Sequence, residues 1–566
     1  LNETLDAGLR GGVASRSAPA AARASAGCAA ADSITIIITT NVRGVITRIR
    51  HQLPSDYDAR APTKVAYTRG MRPARRHARL ADAAVLSLFA CLTVPAVAVA
   101  PLSAQQPAPA AAPSVADYRK LGRDVLKELI ETDTTHSTGS TTVAAERMAA
   151  RLLAAGFPRA DVQVVGTAPR KGNLVARLRG SGGSSARKPL LFIAHLDVVE
   201  ARREDWSLDP FTLSERDGYF YARGTEDVKG GAATLVTAFA RLRQEGFAPD
   251  RDLILALTAD EEGGPDNGIQ WLLEHRKELI DAAYCINVDS GGGELRAGKV
   301  AAIDVQASEK VFLSFTLTTR NAGGHSSIPT SDNAIYRLAA GLQRLAGFTF
   351  PTRTSEITRG YFSRMADILP GPLSPDMKTM GRLPQDEAAA ARLSAASPYY
   401  NALLRTTCVP TLLQGGHAEN ALPQMAQATV NCRMLPEDRP DDVQQTLVRV
   451  LADPQIIVAP VAPAVASPPS PLAPEVFTAI AAVSRTIWGD VPTVSYMETG
   501  ATDGLLLRNA GIPVYGVTGI AHDADDVRAH GKDERIPVRA FDEGLEFIYQ
   551  LAVRLSGRAD SARAAR

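Results

Sequence analysis

The sequence predicts an α/β fold, in which a large domain with a mainly parallel sheet flanked by helices accepts a smaller inserted α/β sandwich. Three observations carry this. Short apolar runs at 190–195, 253–258 and 284–288 read as buried strands. Stretches with apolar residues at helical spacing alternate with them, the order that builds a parallel sheet. After about residue 306 the pattern changes to alternating strands, and a stretch dense in Pro and Ala at 458–473 marks the return to the first domain.

Residues 1–70, rich in Ala, Arg and Ser, contain one β-like patch at 34–38 and read as an extension upstream of the true start or a disordered tail. Met71-Arg72-Pro73-Ala74-Arg75-Arg76, an apolar stretch at 83–100 and small residues at Ser103-Ala104 have the order of a secretory signal peptide over 71–104. This predicts a periplasmic or secreted protein. Residues 105–116 read as a flexible linker. Helices follow at 118–130 and 142–155, then strands at 161–165 and 174–178. The central strand Leu190-Leu191-Phe192-Ile193-Ala194 runs into His195-Leu196-Asp197. The segment Arg223-Gly224-Thr225-Glu226-Asp227-Val228-Lys229-Gly230 leads into a helix at 232–244; it lacks the Walker spacing, which excludes a phosphate loop and favours a tight turn presenting Asp227. The strand at 253–258 ends in Asp260-Glu261-Glu262-Gly263-Gly264, and the strand at 284–288 ends in Asp289 before three glycines. A strand at 311–319, a loop carrying His325, a helix at 333–345, a mixed insertion at 347–400, strands at 406–413 and 426–433, and a helix at 441–451 compose the inserted part. A helix at 474–487 and a strand at 513–517 complete the first domain, with His530 in a late loop.

Bulk properties narrow the function classes. A formal net charge of +1 argues against a nucleic-acid binder. Cys28, Cys91, Cys285, Cys408 and Cys432 lack the close pairing of a zinc ribbon or redox motif. Beyond the first hundred residues no apolar run is long enough to span a bilayer.

The chemistry lies at strand ends. In sheets of this class ligands sit outside the carboxyl ends of the strands, where His195, Glu261, Glu262 and Asp289 all fall. Side chains alternate along a strand, so an extended backbone puts His195 and Asp197 on one side, and a metal-binding histidine usually gives its other ring nitrogen to a carboxylate. Two adjacent glutamates repel unless a cation or proton separates them; the pair makes sense if one binds metal and the other is a general base. Imidazole with carboxylate suits Zn²⁺, with Mn²⁺ or Co²⁺ as alternatives, and a carboxylate can bridge two ions about 3.5–4 Å apart. The residue pattern leaves His522 and His530 equally eligible as the last ligand.

These motifs, with Gly324-His325-Ser326-Ser327 and His530-Gly531, resemble the di-zinc family of glutamate carboxypeptidase, carboxypeptidase S, carnosinase, aminoacylase and succinyl-diaminopimelate desuccinylase, over about residues 117–557. The resemblance implies a catalytic di-zinc domain at 117–306 and 468–557 and a lid and dimerisation domain at 307–467. It implies two Zn²⁺ per chain, one held by His195, Asp227 and Asp289 and the other by Asp227, Glu262 and His530, with Asp227 bridging. By the same likeness Glu261 is the base, Asp197 holds His195, and His325 polarises the scissile carbonyl, often from a partner subunit. Asn420 and Arg433 match positions that hold a substrate carboxylate, for which Arg offers a bidentate grip. Thr502-Asp503 resembles a substrate-side loop and receives no role. Residues 347–400 exceed a compact lid and are similar to longer carboxypeptidase S-like members. Cys408 and Cys432 fall on strands flanking one loop, so an exported chain could join them.

The expected function is an exported metallo-exopeptidase that hydrolyses a peptide or N-acyl amide bond next to a free carboxylate. A small peptide or N-acyl amino acid is the expected partner, with no nucleic acid, no membrane span in the mature chain and a possible homodimer. An N-acyl-amino-acid deacylase or desuccinylase is the alternative within the class. A non-catalytic binding protein on the same scaffold is the alternative outside it.

Overall fold

The computed structural model describes residues 113–557, apart from 167, 182–186 and 524–525, and the backbone of strands Thr35–Thr39 and Ile46–Arg50. Those two strands pair antiparallel and include most of the β-like patch. The expected leader at 71–104 and most of the linker lie outside the described residues. Helix Val115–Ile130 begins three residues earlier than apolar spacing suggests, because Ser114 and Asp117 form a capping box at its start.

A ten-stranded sheet organises the larger part of the chain. Its centre is three adjacent parallel strands, Tyr284–Asn287, Leu190–His195 and Leu253–Thr258. Outward from Leu253–Thr258 come Gly172–Leu178 and Val162–Gly166, both antiparallel to their inner neighbours. On the other flank Val514–Gly516 runs parallel to Tyr284–Asn287. Lys299–Glu309, Gly292–Arg296, Thr493–Glu498 and Ala521–Asp523 complete the sheet.

Period-two alternation divides the central strand between two cores. Leu190, Phe192 and Ala194 pack with helices Val115–Ile130, Lys229–Gln244 and Val538–Ser556. Leu191 and Ile193 face Ile269 and Leu272 of helix Gly268–His275 and Leu507 of helix Gly504–Asn509. Both sheet faces are covered, which explains why the strand is apolar from Leu190 to Ala194.

The inserted part has its own four-stranded antiparallel sheet, in the order Thr407–Gly415, Met425–Met434, Val311–Arg320, Ile457–Pro460. Leu313, Phe315, Leu317, Ala428 and Val430 face Leu338 and Leu345 of helix Ala334–Ala346 and Leu447 and Leu451 of helix Pro440–Leu451. Ile457–Pro460 falls at the start of the Pro/Ala stretch that reads as a linker; it is a strand because it pairs with Val311–Arg320, Thr316 opposite Ala459. The mixed segment 347–400 resolves into helices Glu356–Ile368, Ser374–Met380, Glu387–Ala396 and Pro398–Leu404. Their apolar residues Phe362, Met365, Met377, Leu393 and Leu404 share a core with Ala302, Ala307, Val494 and Tyr496 of the larger sheet. Cys408 and Cys432 lie directly opposite each other and are disulfide-bonded. Among the described residues, no helix is long and apolar enough to cross a membrane.

Candidate active site

Three central strands end side by side, and each delivers a side chain to the same point. His195 closes its strand, Glu261 and Glu262 follow Leu253–Thr258, and Asp289 follows Tyr284–Asn287. Asp227 arrives from the turn before helix Lys229–Gln244, and His530 from a late loop. His195 Nε2 lies 2.9 Å from Asp227 Oδ1 and 3.5 Å from Asp289 Oδ1. His530 Nε2 lies 3.1 Å from Asp227 Oδ2 and 2.9 Å from Glu262. The Asp227 carboxylate thus gives one oxygen to each imidazole. Ligand atoms of His195, Asp227 and Glu262 lie within 4.8 Å of one another, as do those of His195, Glu261 and Asp289. His522, the other histidine eligible by sequence, instead sits on edge strand Ala521–Asp523 opposite Glu294.

The surroundings hold these groups through contacts that sequence reasoning reaches only in part. His195 Nδ1 is 2.9 Å from the main-chain carbonyl of Asp197 and 3.7 Å from its carboxylate. The chain turns after His195, so Asp197 holds the imidazole through its carbonyl, and its carboxylate accepts the N–H groups of Glu261 and Glu262 at 3.2 and 3.0 Å. Asp503, given no role by sequence, is buried behind the site, where it accepts hydrogen bonds from Thr258 Oγ1 and Asn267 Nδ2. Glu534 escapes sequence reasoning altogether. It is fully buried and its Oε1 accepts the N–H groups of Gly224, Glu226 and Asp227 at 3.0, 2.8 and 3.1 Å. Its only sequence signal is its place four residues after His530.

Electrostatics mark the cluster as short of positive charge. Burial opposes ionisation of Asp227, but hydrogen bonds to His195 and His530 outweigh it and hold the carboxyl below its usual range. Burial, aided by the nearby Asp227 and Asp503, pushes Asp289 up to about 7. Burial and then the neighbouring Asp289 raise Glu261 well above an ordinary glutamate. The bonds to Asp227 and Glu262 lift His530 to about 10. Four carboxyl groups around two imidazoles form a donor set that fits divalent cations, which would relieve the like-charge repulsion.

Of the three candidates on the inserted part, none bonds to this cluster among the described residues, but Arg433 is near enough to feel the charge of Glu261. His325 is exposed, its Nδ1 2.7 Å from Ser327 Oγ, and its backbone pairs with Ala421. Asn420 is exposed beside it and accepts the N–H of Ser326 through its main-chain carbonyl. Arg433 lies apart from both on strand Met425–Met434, half-buried, its guanidinium 4.7 Å from the ring centroid of Phe312. Burial lowers its pKa, opposed by the charges of Glu498 and Glu261, so it faces the general-base candidate electrostatically.

A family model described as peptidase family M20/M25/M40 matches residues 191–554. Human N-fatty-acyl-amino acid synthase/hydrolase PM20D1 is 29% identical over 385 residues, covering 65% of this chain and 74% of that protein. A probable carboxypeptidase S-like 2 from Dictyostelium discoideum is 26% identical over 384 residues, covering 65% and 72%. Among solved structures, an M20 family metallo-carboxypeptidase from Sulfolobus solfataricus superposes with a TM-score of 0.57 at 18% identity, over 77% of this chain and 98% of that one. Human carnosine dipeptidase 1 gives 0.56 at 15% identity, over 78% and 97%. These two likenesses show the fold.

Proposed function

The chain belongs to peptidase family M20/M25/M40, and from that premise we propose that it hydrolyses an amide bond, peptide or N-acyl, next to a free carboxylate. The observation that carries the proposal is the Asp227 carboxylate shared between His195 and His530, flanked by Asp289 and Glu262. His195, Asp227 and Asp289 would hold one cation, and Asp227, Glu262 and His530 the other, with zinc favoured and cobalt or manganese as alternatives. When bound, such a pair supplies Lewis acidity to the scissile carbonyl and acidifies a water. Glu261 takes the proton of the attacking water and delivers it to the leaving amine nitrogen. Arg433 receives the substrate carboxylate, and Asn420, which lies apart from Arg433 beside His325 in the same chain, joins it from a second copy. Relatives named as an N-fatty-acyl-amino acid synthase/hydrolase and as a probable carboxypeptidase S-like protein favour this substrate class.

The proposal extends to assembly and location. A second copy of the chain docks along the edge strand Thr407–Gly415, where Val409, Leu412 and Leu413 are 55%, 62% and 69% exposed beside Tyr336 of the adjoining helix. An unpaired apolar edge of this kind invites strand pairing, and the second copy would bring its own His325 to the scissile carbonyl. Residues 307–467 then act as lid and dimerisation domain. The Cys408–Cys432 disulfide supports export to an oxidising compartment.

The test is metal content of the purified chain alongside hydrolysis of N-acyl amino acids and dipeptides. About two zinc ions per chain, with turnover lost to chelator and restored by zinc, is the expected result. A chain that binds no zinc and turns over nothing in the panel would sink the proposal.

A further inference from the structure

His530 is the one proposed ligand carried neither at the end of a central strand nor at the start of a buried helix. His195, Glu262 and Asp289 come from adjacent strand ends, and Asp227 precedes a buried helix. The His530 side chain is 54% exposed. Its place is set instead by a buried pair, Arg223 and Glu534, that joins two loops. Arg223 Nη1 donates to Glu534 Oε2 at 2.5 Å, and Nη2 donates to the carbonyl of Gly531, next to His530, at 3.1 Å. The other oxygen of Glu534 gathers the N–H groups of Gly224, Glu226 and Asp227. Both side chains are at most 3% exposed, and the guanidinium lies 5.1 Å from the ring centroid of Trp206. Further bonds cross the same seam, among them Arg528 N–H to Glu226 Oε2 at 3.0 Å, Ser207 N–H to Asp533 Oδ1 at 2.8 Å and Ala222 N–H to the Glu534 carbonyl at 3.2 Å, and Arg535–Pro537 pairs with Tyr219–Tyr221 just beyond it.

We propose that the Arg223–Glu534 pair is a positioning device that sets the affinity of the cation shared by Asp227, Glu262 and His530, and spares the one held by His195, Asp227 and Asp289. This rests on the two-cation reading above. The physical argument is mutual stabilisation: a cation bridging Asp227 and His530 joins the loops that the pair already joins, so loss of either tie loosens the other. Glu534 also touches the Asp227 backbone, but Asp227 keeps its bond to His195, and His195 is fixed by its strand. The effect therefore falls on the His530 side. Groups that orient metal ligands in this manner typically change affinity roughly 10–100-fold.

The experiment starts from the full chain loaded with zinc and titrates zinc off with a chelating buffer. In wild type two dissociation steps are expected. In Glu534→Gln the weaker step shifts roughly 10–100-fold while the tighter one stays in place, so metal content after dialysis falls from two per chain to one. Arg223→Lys, which retains the charge facing Glu534 but not the fork reaching Gly531, shifts the same step. Hydrogen exchange on the wild type gives a readout that needs no variant. Amides of the 223–227 segment gain protection with the second equivalent of zinc added back, not the first. Equal shifts of both steps, unshifted steps, or protection complete at the first equivalent would overturn the proposal. A wild type that takes up no zinc would instead remove the two-cation reading on which it stands.

Discussion

Replacing Glu261 with Gln separates the two roles its position permits. Its carboxylate lies within 4.8 Å of ligand atoms of His195 and Asp289, so geometry alone makes it eligible to hold a cation as well as to move a proton. The substitution preserves shape, and the Glu261 N–H stays on the Asp197 carboxylate at 3.2 Å, so the loop has no reason to move. It removes one negative charge but no residue proposed to hold a cation, so both cations are expected to stay. A positioned general base contributes typically 10²–10⁴-fold, or about 2.7–5.4 kcal/mol of barrier at 1.36 kcal/mol per tenfold. The expected outcome is a fall of that size in kcat, with KM within threefold and both cations retained. Steady-state hydrolysis of an N-acyl amino acid, read with metal analysis of the same sample, measures all three. Loss of one cation would make Glu261 a ligand. A fall in kcat of less than tenfold with both cations present would move the base to another carboxyl.

Further outcomes follow from single contacts. Arg433→Ala should lower kcat/KM roughly 10–150-fold, mostly through KM, since hydrogen bonds to charged groups contribute about 1.5–3 kcal/mol; substrates lacking the carboxylate should be unaffected, and an equal loss on both would remove Arg433 from that role. Lys310 donates to the carbonyls of Ala402 and Arg405 at 2.8 Å each, and burial draws its pKa down to about 7. Between pH 7 and 10 the unfolded chain keeps the proton that the folded chain sheds, so stability rises with pH by up to about 1.4 kcal/mol per unit. Denaturant unfolding at pH 7 and 9 should show this slope in wild type and not in Lys310→Met; parallel profiles would mean the ammonium stays charged in the fold. Replacing both Cys408 and Cys432 with Ser opens a loop with a sequence separation of 24, which chain entropy values at about 3.5 kcal/mol, and an unchanged unfolding midpoint would contradict that value.

The parts of the site legible in the sequence are those that depend on neighbours along the chain. A run such as Leu190-Leu191-Phe192-Ile193-Ala194 declares a buried strand by composition, and the polar residue that ends it lies at the carboxyl end of that strand. His195, Glu261, Glu262 and Asp289 are therefore recognisable one strand at a time. Asp227 is recognisable from its glycine-flanked turn before a helix. The choice of His530 over His522 comes from family resemblance, since nothing local separates them; the fold separates them by turning one toward Glu262 and placing the other on an edge strand beside Glu294.

Only the tertiary structure decided the rest, because a hydrogen bond between distant segments leaves no periodicity in either. Glu534 lies 307 residues from the Asp227 amide it accepts, and Asp503 lies 245 from Thr258. The sequence suggests Asp197 as a partner of His195, yet which of its oxygens meets the imidazole depends on how the chain turns after the strand. The helices within 347–400 look like a mixed insertion in sequence because their apolar faces answer to Val494 and Tyr496, about a hundred residues further on. Sequence by itself determined the candidate ligand types and the strand ends that carry them, through local pattern. The distances that let one carboxylate serve two imidazoles were decided by which strands pair and which loops meet.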